Sequence, residues 1–392
     1  MTYLVWDERT FLWVVRRDDA AFHRLDIGRQ EIEDAVTVVR DGLDQPGVGS
    51  LGDIRRFDVE EALALYRRIF APAEPMLDGA RHVFVVPDAA LQSLPLGVLV
   101  TEAPKRRVRR FAAYRDVPWL AKRYALTTLP AVSSLRALRR FAKAASAKRP
   151  FVGFGDPKFG NAPGKTRGAD AAVLFTRGAV ADVDSVRNLP RLPDTADEVI
   201  ALAKALGVDE STVYLQDRAT EARVRSMDLS EYRVLAFATH GLVSGELEGV
   251  AEPALALTPP EVGTAEDDGL LTASEIATLD LDADWVILSA CKTAAADGTP
   301  GAEGLSGLAK AFFYAGARAL LVSHWSVSSE AAVALTTRML GELADHPEIG
   351  RAEALKRSML AMMANEEKDH FAHPMFWAPF VVVGEGGVPG GA

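Results

Sequence analysis

An α/β fold with a mainly parallel sheet flanked by helices is what the sequence predicts, and three observations predict it. Short continuous apolar runs, at residues 82–87 and 285–290, have the length and character of strands buried on both faces. Beyond residue 196, strand-like runs alternate with helical periods. The chain has 392 residues, of which 48% are hydrophobic and 25% charged. That is globular composition, and the length admits two or three domains.

Tyr3–Trp6 and Phe11–Val15, separated by Asp7-Glu8-Arg9-Thr10, read as a hairpin. Helical spacing covers Ile32–Leu43 and Val59–Phe70; in the second, Ala62, Leu65, Tyr66 and Ile69 share a face. The run 82–88 is a strand stopped by Pro87, and Ala131–Lys148 is a basic helix with a solvated face. Pro150 ends that helix, and Phe151–Gly155 starts a new strand. Residues 156–194 lack any sustained period and read as a long loop. Helices follow at Ala196–Leu206 and Thr220–Met227, with a strand at Tyr232–Thr239. A second long loop spans 242–270, and Thr272-Ala-Ser-Glu275 is a capping box. Strands at Trp285–Ser289, Ala319–Ser323 and Phe380–Val383, with helices at Leu305–Ala315, 330–344 and 351–364, complete the chain. No repeat of helical-solenoid length is present.

Lys plus Arg total 44 against 54 Asp plus Glu, a net charge of −10. A chain without an overall basic footprint is a poor direct partner for nucleic acid. The single cysteine forms no internal disulfide and supplies no cysteine-rich zinc site. One thiol fits a reducing compartment. The N-terminus carries Asp7 and Glu8 and no signal-peptide pattern, and no apolar run reaches the roughly 18 residues of a membrane span. A cytoplasmic protein without membrane contact is expected.

In open parallel sheets the chemistry gathers at the carboxyl ends of strands. One such end runs Val234-Leu-Ala-Phe-Ala-Thr-His240-Gly241; another runs Trp285-Val-Ile-Leu-Ser-Ala-Cys291. His240 and Cys291 are 51 positions apart, close to the histidine-to-cysteine spacing of caspases. A thiol of pKa near 8.5 is only a few per cent ionised at neutral pH, and an imidazole serves as its base. Gly241 lets a substrate backbone approach, and the N–H groups of Gly241 and Cys291 form a candidate oxyanion hole. The plain alternatives are a small buried cysteine and a hydrogen-bonded core histidine.

The segments FATHGLVSGE (237–246), DGLLTASEIATLDLDADWVILSACKT (268–293), GAEGLSGLAKAFFYAGARALLVSHWSV (301–327) and HPMFWAPFVVVGE (373–385) resemble the CHAT domain family. VFVVPDAALQSLPLGVL (83–99), GFGDPKF (153–159), LPDTADEV (192–199) and DRATEARV (217–224) extend the resemblance over nearly the whole chain. The family comprises caspase-like domains often attached to TPR repeats. The resemblance implies a cysteine endopeptidase acting on protein substrates through His240 and Cys291, related to caspases and separase. It implies a degenerate caspase-like lobe at 1–149 and an active lobe at 150–392. The opposing reading is a catalytically idle interaction module on the same fold.

By the same resemblance Ser289 lines the first specificity pocket, and Ser323 and Trp325 belong to the segment that runs beside the bound peptide. Trp325 is either a pocket wall or a core residue. Glu303 is either structural, at a helix N-terminus, or a contact to substrate or activator. Many relatives carry aspartate after the Trp-x-Val segment; here Ser328, Ser329 and Glu330 stand there, which puts a basic P1 preference in doubt. Thiol catalysis requires no cofactor and no metal, so none is expected. Any TPR-type or other sensor is expected upstream in a longer protein or on another chain, because residue 3 already starts a strand.

Rival motifs are weaker. Gly160-Asn-Ala-Pro-Gly164-Lys165-Thr166 is one residue short of a phosphate-binding loop. His370 and His373 have ligand-like spacing, but Pro374 follows directly. Glu266-Asp267-Asp268 is a solvated acidic loop, and no Gly-x-Ser-x-Gly occurs. The arginine-bearing loop with Arg167, Arg177, Arg187 and Arg191 is a candidate for self-cleavage. Loops 242–270 and 294–304 leave directly from the two catalytic positions and are expected to bury little, so that a partner must order them.

Overall fold

The strand Tyr232–Ala238 has Val234, Leu235, Ala236, Phe237 and Ala238 all buried. Such a run is stable only between two layers of helices. In the computed structural model, residues 1–45, 47–141, 147–160, 176–177, 180–181, 183–242, 252–264, 266–289, 307–325 and 328–387 are described. The chain divides into two compact units.

The unit holding Tyr232–Ala238 spans Leu138–Asp297 and Leu305–Val333. Its strands lie in the order Ala319–Ser323, Trp285–Leu288, Tyr232–Ala238, Arg149–Gly155, Val213–Leu215. All pairings are parallel, with Leu288 beside Val322, Phe237 beside Leu288, Phe154 beside Phe237, and Tyr214 beside Phe154. The register lines Tyr214, Phe154 and Phe237 up on one face, where Phe154 stacks at 5.3 Å on each neighbour. Phe312 of the helix Gly307–Ala315 closes over Phe237 at 5.7 Å. Aromatic pairs of this kind add about 0.5–1.5 kcal/mol beyond their burial.

The helix Asp194–Ala205 packs closely on the strand Arg149–Gly155. Glycine is required at the contact: a Cβ on Gly153 would lie 2.2 Å from Val199 Cγ1, and one on Gly155 would lie 2.9 Å from the Thr195 carbonyl oxygen. A small antiparallel sheet, Gly241–Leu242, Ala254–Ala256 and Leu270–Thr272, stands beyond the end of Tyr232–Ala238. Ala254, Leu255, Ala256 and Leu257 have no exposed surface at all. The expectation that 242–270 buries little is therefore corrected for this stretch. A three-residue strand between Pro253 and Pro259 shows no period in sequence, yet it joins a satellite core of Phe159, Val186, Leu189, Leu242 and Leu270. Residues 243–251 lie outside the described residues.

The other unit spans Met1–Ala137 and Ala334–Ala392. Its parallel strands are His82–Val85, Ala125–Thr128 and Phe380–Gly384, with His82 beside Ala125 and Thr127 beside Val382. The final strand returns to pair near residue 127, which is why the C-terminal helix Arg351–Met363 belongs with the N-terminal residues. The expected hairpin is a three-stranded meander, Thr2–Val5, Thr10–Val15 and Ala20–Leu25. Leu12 and Val14 point into the core while Trp13 and Val15 face outward, as two-residue periodicity requires. The amphipathic helices Arg29–Asp41 and Val59–Ile69 bury Ile32, Val36 and Val39, and Leu65, Tyr66 and Ile69. Among the described residues no helix is long and apolar enough to cross a membrane.

The α/β class and the mainly parallel pairing agree with the sequence-based expectation. Two parallel strands went unread in the sequence, Ala125–Thr128 and Val213–Leu215.

Candidate active site

Four adjacent strands of the unit holding Tyr232–Ala238 end beside one another, and their carboxyl ends carry Asp156, His240, Ser289 and Ser323. Cys291 and Glu303 lie outside the described residues, as do 294–304 and Arg167. The strand Trp285–Leu288 is followed to Ser289, two positions before Cys291.

His240 is 7% exposed. Its Nε2 lies 2.7 Å from the carbonyl oxygen of Pro190. A carbonyl only accepts, so Nε2 donates and carries the proton, and Nδ1 is the basic nitrogen of the neutral ring. The Phe159 ring tilts against the imidazole at 5.4 Å. The backbone is fixed on both sides: the Ala256 N–H donates to the His240 carbonyl at 3.0 Å, and the Thr239 hydroxyl donates to the Ala256 carbonyl. Gly241 follows directly and pairs with Leu255.

The residue after Pro190 is anchored through its side chain. Arg191 Nη2 donates to both oxygens of Asp156, at 3.0 and 2.8 Å. Asp156 is 3% exposed and takes a left-handed backbone, φ 41°. For a residue with a Cβ that conformation costs of order 1 kcal/mol. Further contacts hold it there: its N–H donates to Thr195 Oγ1 at 2.7 Å, the Gln216 side chain donates to Oδ2 at 3.1 Å, and the Gln216 N–H donates to its carbonyl at 3.0 Å. Gln216 is also left-handed, φ 50°.

Ser289 is 5% exposed, and its hydroxyl donates to Glu198 Oε2 at 2.7 Å. Its N–H donates to the Phe237 carbonyl at 2.9 Å, continuing the strand ladder. Glu198, on Asp194–Ala205, is 3% exposed. Ser323 ends its strand buried, and Trp325 is 1% exposed. Glu330 is exposed in the first turn of the helix Ser329–Asp345. The structure thus brings His240, Gly241, Ser289 and Ser323 to neighbouring strand ends.

Sequence reasoning missed Pro190, Asp156, Arg191 and Glu198. Of these, Asp156 had a readable signal: the Gly153-Phe-Gly155-Asp156 run marks a close backbone approach at a strand end. His373 caps the helix Pro374–Trp377, its Nδ1 accepting the Met375 N–H at 3.2 Å.

The CHAT domain model matches residues 59–385. The mouse tetratricopeptide repeat protein 28 is 28% identical over 231 residues, which are 49% of this chain. The match spans only 8% of that much longer protein. Among solved structures, the Arg-specific cysteine proteinase gingipain R aligns over 92% of this chain and 75% of its own, at 11% identity and TM-score 0.44. Separase, in its Saccharomyces cerevisiae complex with securin, aligns over 91% of this chain and 22% of its own, at 12% identity and TM-score 0.40. With the family model covering 59–385 out of 392 residues, the chain belongs to the CHAT domain family.

Proposed function

We propose that the protein is a cysteine endopeptidase in which His240 activates Cys291 against a peptide carbonyl. One observation carries this reading most directly. The parallel register sets Leu288 beside Phe237, an offset of 51 positions, which is also the separation of Cys291 from His240. The same pairing continues through Ser289, whose N–H reaches the Phe237 carbonyl. A neutral His240 that donates from Nε2 to Pro190 keeps Nδ1 as its base, which supports the reading.

In this mechanism Nδ1 of His240 takes the thiol proton as the Cys291 sulfur forms a bond to the scissile carbonyl carbon. The N–H groups of Gly241 and Cys291 receive the oxyanion. The imidazolium returns its proton to the leaving amine as the C–N bond breaks. Water then attacks the thioester with the imidazole again as base, and the carboxylate product leaves. The Pro190 carbonyl accepts from Nε2 throughout and stabilises the imidazolium form.

The test is labelling and turnover. Wild-type protein should react with a peptidyl reagent selective for catalytic thiols and cleave a peptide library. Cys291→Ala should abolish both with an unchanged melting temperature, and His240→Ala should cut turnover by about 10²-fold or more. An unreactive thiol in folded wild type overturns the enzyme reading and leaves an interaction module. Regulation by a partner belongs to the same proposal, since the mouse relative bears a tetratricopeptide repeat name. Turnover that is equally high with and without a helical-repeat partner overturns that part alone.

A further inference from the structure

Lys105, Arg106, Arg107, Arg109 and Arg110 place five cations within six residues of a chain whose net charge is −10. All five are exposed and line one cleft of about 640 Å³ in the unit that holds Met1–Ala137. Glu102 and Asp116 are the acidic groups on its wall, so the lining carries a surplus of positive charge. Among the described residues, none of the five side chains has an ion pair or hydrogen bond. Several arginines elsewhere in the same unit do have carboxylate partners: Arg68 pairs with Glu31, Arg115 with Asp369 and Arg123 with Glu74. A protein with more carboxylates than cations has left this cluster without partners.

We infer that this cleft binds an acidic protein segment, a run of Asp and Glu side chains in extended conformation. Four of the five cations are arginines, whose planar fork binds carboxylate with two parallel hydrogen bonds. Arg110 itself has extended backbone, φ −131° and ψ 157°. Pro104 and Pro118 give the cleft apolar wall on which a peptide backbone rests. A nucleic acid strand fits less well. No aromatic ring lines the cleft to stack a base. The inference stands whether or not Cys291 is a nucleophile.

Fluorescence anisotropy on the full chain tests it, with a labelled octapeptide of Asp and Glu, a Gly/Ser octapeptide and an oligouridylate of equal length. The acidic peptide should bind, the Gly/Ser peptide should not, and the oligouridylate should bind more weakly than the acidic peptide. Raising salt from about 50 to about 200 mM should weaken the acidic peptide about tenfold or more. The combined Arg106→Gln, Arg107→Gln, Arg109→Gln and Arg110→Gln variant should lose at least tenfold in affinity. If that variant loses its circular dichroism signature, Arg107→Gln and Arg109→Gln singly should each weaken binding two- to fivefold. No binding at low salt, tighter binding of the oligouridylate, or variants that bind like wild type would overturn the inference.

Discussion

Ser289 gives its hydroxyl proton to Glu198 across a 2.7 Å hydrogen bond, with both side chains almost wholly buried. The bond ties the end of the strand leading to Cys291 to the helix that follows the Pro190–Arg191 loop. Within the peptidase proposal Ser289 lines the specificity pocket, and its hydroxyl is committed to this carboxylate. The role it can play there is to hold the pocket's shape.

The first prediction separates the partners of that bond. Ser289→Ala removes one donor and leaves a buried carboxylate less satisfied, a loss of about 1–3 kcal/mol. Glu198→Gln keeps the shape and an acceptor, and should cost less than Glu198→Ala. Thermal unfolding of the three variants gives the order. If Ser289→Ala is neutral in stability but changes P1 preference, the hydroxyl meets substrate and not Glu198.

A second prediction concerns the support behind His240. Arg191 grips Asp156 with two hydrogen bonds, and the preceding residue, Pro190, faces His240. Arg191→Ala should loosen the Pro190 carbonyl, and misplacement by about 1 Å can cost 10²-fold in rate. The loss is expected in kcat, with KM nearly constant, and the acidic limb of the pH–rate profile should shift as the imidazolium loses its acceptor. Arg191→Lys should recover part of the activity, because one ammonium nitrogen can stand in for the single Nη2 that reaches both Asp156 oxygens. Unchanged kcat in Arg191→Ala would detach the Asp156–Arg191 pair from the site.

Much of this arrangement was legible in the sequence where long apolar runs were involved. Tyr232–Ala238, Trp285–Leu288 and Ala319–Ser323 could be read because they are buried on both faces. Ala125–Thr128 and Val213–Leu215 were not, since three or four residues carry no measurable period. At the site, His240 announced itself by following an apolar strand and preceding glycine. The Pro190 acceptor is a main-chain oxygen, and a main-chain oxygen leaves no signature in residue type. Glu198 is a helix glutamate like any other until the strand end bearing Ser289 is placed beside it. The net charge of −10 concealed the local run from Lys105 to Arg110, because a sum over the chain averages away a patch.

Helix–strand contact supplies a third prediction. A methyl at position 155 would meet the Thr195 carbonyl oxygen and Val199 Cγ2, each at 2.9 Å. Gly155→Ala must push Asp194–Ala205 outward, and overpacking of this kind costs about 1–3 kcal/mol. The same helix carries Glu198 and follows Arg191, so the melting temperature and turnover should fall together. A fall in stability with full activity would show that the helix can shift without disturbing His240.

The last prediction turns on pH and on His373, which has 1% exposure between two aromatic edges, Tyr114 at 4.8 Å and Phe111 at 5.9 Å. Burial pushes its pKa down from 6.5 to about 3. Its Nδ1 accepts from the Met375 N–H, an acceptor that protonation would abolish. The native state therefore keeps the ring neutral where the unfolded chain, titrating near 6.5, takes up a proton. The unfolded state binds more protons between pH 6.5 and 3, so stability falls as pH is lowered through that window. From pH 7 to pH 5 the loss due to this group is about 2 kcal/mol, at 1.36 kcal/mol per unit. Asn accepts at a helix N-cap and does not titrate, so His373→Asn should flatten the slope between pH 7 and 5. Denaturant unfolding of both proteins across that range measures the difference. Parallel curves would mean that His373 is protonated in the native state, and that the cap on Pro374–Trp377 is made in some other way.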